Sequence, residues 1–105
     1  MLESSENAKF AKEFIKTAYP STESLPPEWA QVLNVVGEAG EFAEAYRRYV
    51  GHARRVGNFE EVSQELADIV ISAYVTAERL GINLDAEIKV KQEAIMVRGF
   101  KDIQE

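Results

Sequence analysis

The chain contains no cysteine. Disulfides, a thiolate nucleophile and a zinc site built on cysteine are therefore excluded. Its single histidine, His52, stands alone in a loop and is given no catalytic role. No apolar run approaches the ~20 residues of a membrane span. Met1 to Phe10 shows no basic stretch leading into an apolar one, so it does not read as a secretory signal. Excess positive charge is also lacking: the formal net charge is −6, against the grain of binding a nucleic-acid polymer. The glycine patterns that cradle phosphate, GxGxxG and the Walker loop, do not occur. These absences fit a cytoplasmic chain that uses neither membrane nor nucleic acid.

What remains is a composition of 46% hydrophobic and 29% charged residues over 105 positions, which defines a globular chain and a single domain, residues 1–105. So small a domain buries only a modest core. Four helical segments are readable and none alternates as a strand does. The first runs from Ser5 to Ala18, with Ala8, Phe10, Ala11, Phe14, Ile15 and Ala18 in helical register, and Pro20 stops it. After a loop from Pro20 to Leu25, the second opens at Pro26-Pro27-Glu28, where proline suits a first turn, and ends at Tyr49 or Val50 before Gly51. Asn58 caps the third, and Glu61 is placed to complete a capping box. That helix ends at Leu80-Gly81. Asn83 caps the fourth, which reaches Arg98.

Short loops between helices predict an all-α antiparallel bundle. On the third helix Val62, Leu66, Ile69, Ala73, Ala77 and Leu80 form one stripe, yet Ile71 and Val75 lie well away from it. The second is also apolar on two sides, through Val32, Leu33, Val36 and Ala43, and through Val35, Ala39, Phe42 and Tyr46. Helices apolar on two sides are buried on two sides, so the core is expected to be completed by oligomerisation.

Four acids interrupt this apolar background: Glu38 and Glu41 on the second helix, Glu65 and Asp68 on the third. A spacing of three puts each pair on one face, near enough to share a cation. Four facing carboxylates without a basic partner in their own turns repel one another unless a cation sits among them, and hard oxygen ligands select magnesium, manganese or calcium. Gly40 lies between the first pair in mid-helix, at roughly 1 kcal/mol relative to alanine, and reads as clearance for another helix or a ligand. Solvated acidic faces show the same spacing, and pattern alone leaves both readings open.

The run Gly37-Glu38-Ala39-Gly40-Glu41-Phe42-Ala43-Glu44, followed by Glu65-Leu66-Ala67-Asp68-Ile69-Val70 and then Leu80-Gly81-Ile82-Asn83-Leu84, resembles the MazG-like all-α nucleotide pyrophosphatases. Their signature is a Glu-x-x-Glu pair followed by a Glu-x-x-Asp pair on the next helix; here 23 residues separate Glu41 from Glu65. The resemblance covers about Trp29 to Arg98. It implies that Glu38, Glu41, Glu65 and Asp68 hold Mg2+ (or Mn2+). It further implies hydrolysis of a nucleoside or deoxynucleoside triphosphate to the monophosphate and pyrophosphate, in a homodimer or homotetramer. Where many relatives carry a further glutamate this chain has Gly37, and Glu44 or Glu61 is the substitute, Glu61 having capping as its other role.

On the fourth helix Lys91 and Arg98 match a phosphate grip of the family, while Ile95 replaces its asparagine. The alternative for both cations is to lie beside a core stripe with their charges in water. Trp29, Phe42 and Tyr46 are either base-stacking residues or core, and Arg47, Arg48, Arg54 and Arg55 either a solvated patch or a lid. A non-catalytic helical oligomer that senses nucleotides is the rival reading, kept open by Gly37 and Ile95.

Overall fold

The computed structural model describes residues 4–51 and 57–98. They form α1 (Glu6–Ala18), α2 (Glu28–Tyr49), α3 (Phe59–Leu80) and α4 (Leu84–Arg98), with one 3-10 turn at Thr22–Ser24 and, among the described residues, no strand. The fold is the expected all-α helical bundle.

Local chemistry sets most boundaries. Ser5 accepts the Ala8 amide at 3.2 Å, and Asn58 accepts the Glu61 amide at 2.8 Å. Asn83 accepts the Ala86 amide at 3.1 Å. Each satisfies an amide that the first helical turn leaves without a partner. Gly81 closes α3 at φ 71°, a left-handed conformation that glycine adopts without a Cβ penalty, and the Ile82 amide reaches back to the Ala77 carbonyl at 2.8 Å. Two expectations need correction. Helix α2 begins at Glu28, so Pro27 is its cap and not part of the first turn. The capping box at α3 is only half made, because the Glu61 carboxylate pairs with Arg48 and does not turn back to the Asn58 amide.

Helices α2 and α3 run antiparallel, and a ladder of polar contacts fixes their register. Arg79 donates to the Pro26 carbonyl at 2.6 Å, Gln31 to Thr76 Oγ1 at 3.3 Å, and Asn34 to Ser72 Oγ at 3.0 Å. One turn further, the same register brings Glu38 opposite Asp68 and Glu65, and near its far end Arg48 meets Glu61. Helix α1 docks on α3 through Ala8, Ala11 and Ile15, against Tyr74 and Val75, with Leu84 beside them. Asp85 locks this corner: one oxygen accepts the Ser5 amide at 2.9 Å, the other the Tyr74 hydroxyl at 2.7 Å.

The expected stripe on α3 is buried only in part, through Val62 and Ala77, and the chain also buries residues off that stripe. Val75, Tyr74, Ser72 and Ala77 are buried with Val62, while Leu66 and Leu80 are exposed. On α1, Phe10 and Phe14 face outward and stack with centroids 6.0 Å apart. The buried hydrophobics are Ala11, Ala45, Val62, Tyr74, Val75 and Ala77, half of them alanine. Large apolar groups remain open on α2 (Trp29 66% exposed, Val36 68%) and on α4 (Met96 84%, Val97 87%). The accessible surface is 8041 Å², where a compact monomer of this mass has roughly 5,900 Å². The radius of gyration is 16.4 Å, against about 13 Å for a compact chain of this length. No described helix is long and apolar enough to cross a membrane.

Candidate functional site

Glu38 from α2 and Glu65 and Asp68 from α3 each direct one carboxylate oxygen to a common point, all within 4.8 Å of one another. Two of these side chains are half-buried, and Glu38 Oε2 and Glu65 Oε2 have no hydrogen-bond partner among the described residues. A withdrawn carboxylate oxygen with no donor is costly by itself. The electrostatics agree. Loss of water raises the pKa of Glu38 above its ordinary value, and the charges of Glu41, Asp68 and Glu65 push it the same way. Glu65 is raised for the same first reason, then by Glu41, Asp68 and Glu61, with Arg48 opposing. Converging hard oxygen donors that repel one another and lack donors of their own fit a divalent cation of the magnesium or calcium type.

Glu41 is not one of the three convergent acids, but its charge acts on both Glu38 and Glu65. It lines a cleft of about 610 Å³ with Gly37, Gly40, Glu44, Arg48 and Glu65. Apart from the nearby backbone of α2 itself, nothing among the described residues lies within 4 Å of a Cβ placed on Gly40 or Gly37, and both glycines line this cleft.

The two proposed substitute acids are both engaged. Glu44 pairs with Arg47 at 2.8 Å on an exposed face, and Glu61 pairs with Arg48. Arg48 is thus no member of a solvated patch: it is half-buried and bears electrostatically on Glu65. Sequence reasoning missed this pair, although the antiparallel register that sets 38 against 68 also brings 48 near 61. Arg54, Arg55 and His52 lie outside the described residues. Gly57 packs so closely on Arg48 that an added Cβ would stand 2.9 Å from the Arg48 Cβ.

A second cavity, of about 390 Å³, begins at Glu38 and Asp68 and extends between α1, α2 and α3. Asn34, Gln31 and Ser72 line its middle, and Phe14, Tyr19 and Pro26 also contribute. Phe14 and Tyr19 meet edge to face at 6.3 Å. Lys91, Arg98 and Trp29 line none of the principal cavities, and Trp29 is exposed at the start of α2. Phe42 is half-buried and Tyr46 exposed.

Three convergent acids carried on two antiparallel helices of an all-α fold form a candidate cation site. The model of the MazG-like family matches residues 34–105, more than half of the sequence, and the chain belongs to that family. Membership points to nucleotide pyrophosphatase-type chemistry. No curated protein and no solved structure matches the chain.

Proposed function

We propose that this protein is a Mg2+-dependent pyrophosphohydrolase of nucleoside or deoxynucleoside triphosphates, active as a homodimer or homotetramer in the cytoplasm. The observation that carries the reading is the convergence of Glu38, Glu65 and Asp68, with two unpartnered oxygens, beside a cavity of about 390 Å³ that Glu38 and Asp68 help to line. Bound there, magnesium or manganese neutralises phosphate oxygens and lowers the pKa of a water molecule.

The chain's own residues then divide the work. Glu38, Glu65 and Asp68 hold the cation. Glu41, whose charge acts on both Glu38 and Glu65, would hold the cation with them or orient the attacking water and take its proton. Water adds to the α-phosphorus as pyrophosphate departs, giving the monophosphate. Glu44 and Glu61 are tied to arginines and serve this reading as holders of Arg47 and Arg48. Trp29, Lys91 and Arg98 line none of the principal cavities among the described residues, and their nucleotide and phosphate contacts are assigned to a site shared with a neighbouring copy. The surface excess and the open apolar faces of α2 and α4 support that assembly.

The test is a panel of triphosphates incubated with the protein and Mg2+, with pyrophosphate and monophosphate both quantified. Equimolar release that is lost in Glu38→Gln or Asp68→Asn is expected. Binding of triphosphates without release of either product would favour the nucleotide sensor instead, and turnover unchanged in excess chelator would refute the metal site.

A further inference from the structure

Arg48 stands near the end of α2, two turns past Glu41 and about 10 Å from it along the helix axis. Its backbone is firmly anchored: the carbonyl accepts the Gly51 and Gly57 amides, and Gly57 packs against the Cβ. From this anchor Nη2 donates to Glu61 Oε1 on α3, and 22% of the side chain stays accessible. Nε is shut from water and has no partner among the described residues, a costly state for a donor. Of the described residues that line the cleft of about 610 Å³, Glu41, Glu44 and Glu65 are acidic and Arg48 alone is basic. The pair with Glu61 is not needed for the helix register, which Arg79, Gln31 and Asn34 already hold with Pro26, Thr76 and Ser72.

A fixed positive charge here weakens the cation site taken by itself. It acts on Glu65 against the surrounding acids, and it repels a divalent ion. Its sign suits an anion that arrives with the cation. Phosphate oxygens that the cation does not neutralise need a second positive partner, and a guanidinium offers them a planar fork of donors. Gly37 and Gly40 line the same cleft without side chains to fill it. We infer that Arg48 binds the pyrophosphate end of the substrate in this cleft, with Glu61 as the positioning residue that aims its guanidinium. This rests on the hydrolase reading above and deepens it. As water adds to the α-phosphorus, the bond to the bridging oxygen breaks and its electron pair passes to the departing pyrophosphate. The guanidinium meets the charge that gathers there. Because base and sugar take no part in this contact, Arg48 contributes alike for every nucleotide.

Two titrations with different expected signs test this. Arg48→Gln should bind Mn2+ alone, read from the paramagnetic resonance signal of the free ion, as tightly as wild type or a few-fold more tightly. The same variant should bind inorganic pyrophosphate, titrated calorimetrically into Mg2+-loaded protein, at least about tenfold more weakly. Arg48→Lys should fall between the two, because lysine supplies a point charge and no fork. Glu61→Gln keeps an acceptor for Nη2 while removing its charge, and should not weaken pyrophosphate binding. Pyrophosphate affinity unchanged in Arg48→Gln, parallel losses of Mn2+ and pyrophosphate, equal losses in Arg48→Gln and Glu61→Gln, or no binding of pyrophosphate by wild type would each overturn the inference. Thermal melts verify folding; should Arg48→Gln not fold, wild-type pyrophosphate affinity in Arg48→Lys overturns it instead. Triphosphate turnover, followed in parallel, separates the two readings. Turnover with pyrophosphate binding indifferent to Arg48 defeats this assignment alone, and Arg48-dependent pyrophosphate binding without turnover defeats the hydrolase alone.

Discussion

Val36 is the most informative position for testing assembly. It is 68% exposed in the single chain, on the same open side of α2 as Trp29 and Leu33. In a monomer Val36→Glu is a surface change, within about ±0.5 kcal/mol. Between two copies it places an unpaired carboxylate in an apolar contact, at a cost of several kcal/mol. The wild-type behaviour follows from mass action. Unfolding entropy of about 2.1 cal/mol/K per residue gives a dimer of this chain roughly 0.44 kcal/mol/K. A tenfold change in concentration is worth about 1.4 kcal/mol. When folding and association are one event, the melting temperature should therefore rise by about 3 °C per decade of protein concentration. Circular dichroism melts at 1, 10 and 100 μM (about 6 °C in all) read this slope, and light scattering reads the mass. Val36→Glu should lower the melting temperature, remove the slope and yield monomer. A wild-type slope below about 1 °C per decade, or a slope unchanged in Val36→Glu, would refute the argument.

The acid cluster predicts an unusual pH response in metal-free protein. Glu38 and Glu65 have folded pKa values raised above 4.5, so their protonated forms favour the fold; that stability is present below 4.5 and lost as pH rises through the folded values. Melts in chelator should thus show lower stability at pH 8 than at pH 5, restored by Mg2+, with Glu38→Gln reducing the difference; a flat profile would contradict the repulsion. Asp85 has the opposite sign, because the Ser5 amide and then the Tyr74 hydroxyl hold its pKa below 3.8, and its contribution is lost as pH falls through that lowered value. Tyr74→Phe should cost about 1–2 kcal/mol in denaturant unfolding, the loss of a hydrogen bond to a charged acceptor, and no cost would show that Asp85 is satisfied by water. Gly40→Ala should raise helix stability by up to about 1 kcal/mol, since nothing among the described residues opposes the methyl, while lowering kcat/KM because the group enters the cleft beside Glu41. Unchanged kinetics would remove that cleft from the site.

The helix boundaries were readable because they depend on neighbours in sequence: Ser5, Asn58, Asn83 and Gly81 act within a few residues of themselves. The acid pairs were readable for a related reason, since spacing along a helix sets the shared face before any partner is known. What stayed hidden depends on partners. Periodicity marked α3 as apolar on two sides but could not say which side meets α1, and the chain buries Val75 while leaving Leu66 open. The Asp85 contacts to Ser5 and Tyr74 join residues far apart in the chain, with no local signature. Arg48 and Glu61, and the amides of Asn34 and Gln31, acquire their roles only from the register between α2 and α3.

The amides of Gly51 and Gly57 both donate to the Arg48 carbonyl, at 3.2 and 3.1 Å. The two described ends of the α2–α3 connection thus meet at one atom, the Arg48 carbonyl oxygen. The register of the two helices is held elsewhere, by Pro26 with Arg79, Gln31 with Thr76 and Asn34 with Ser72, so the alignment of Glu38 with Glu65 and Asp68 does not hang on that junction.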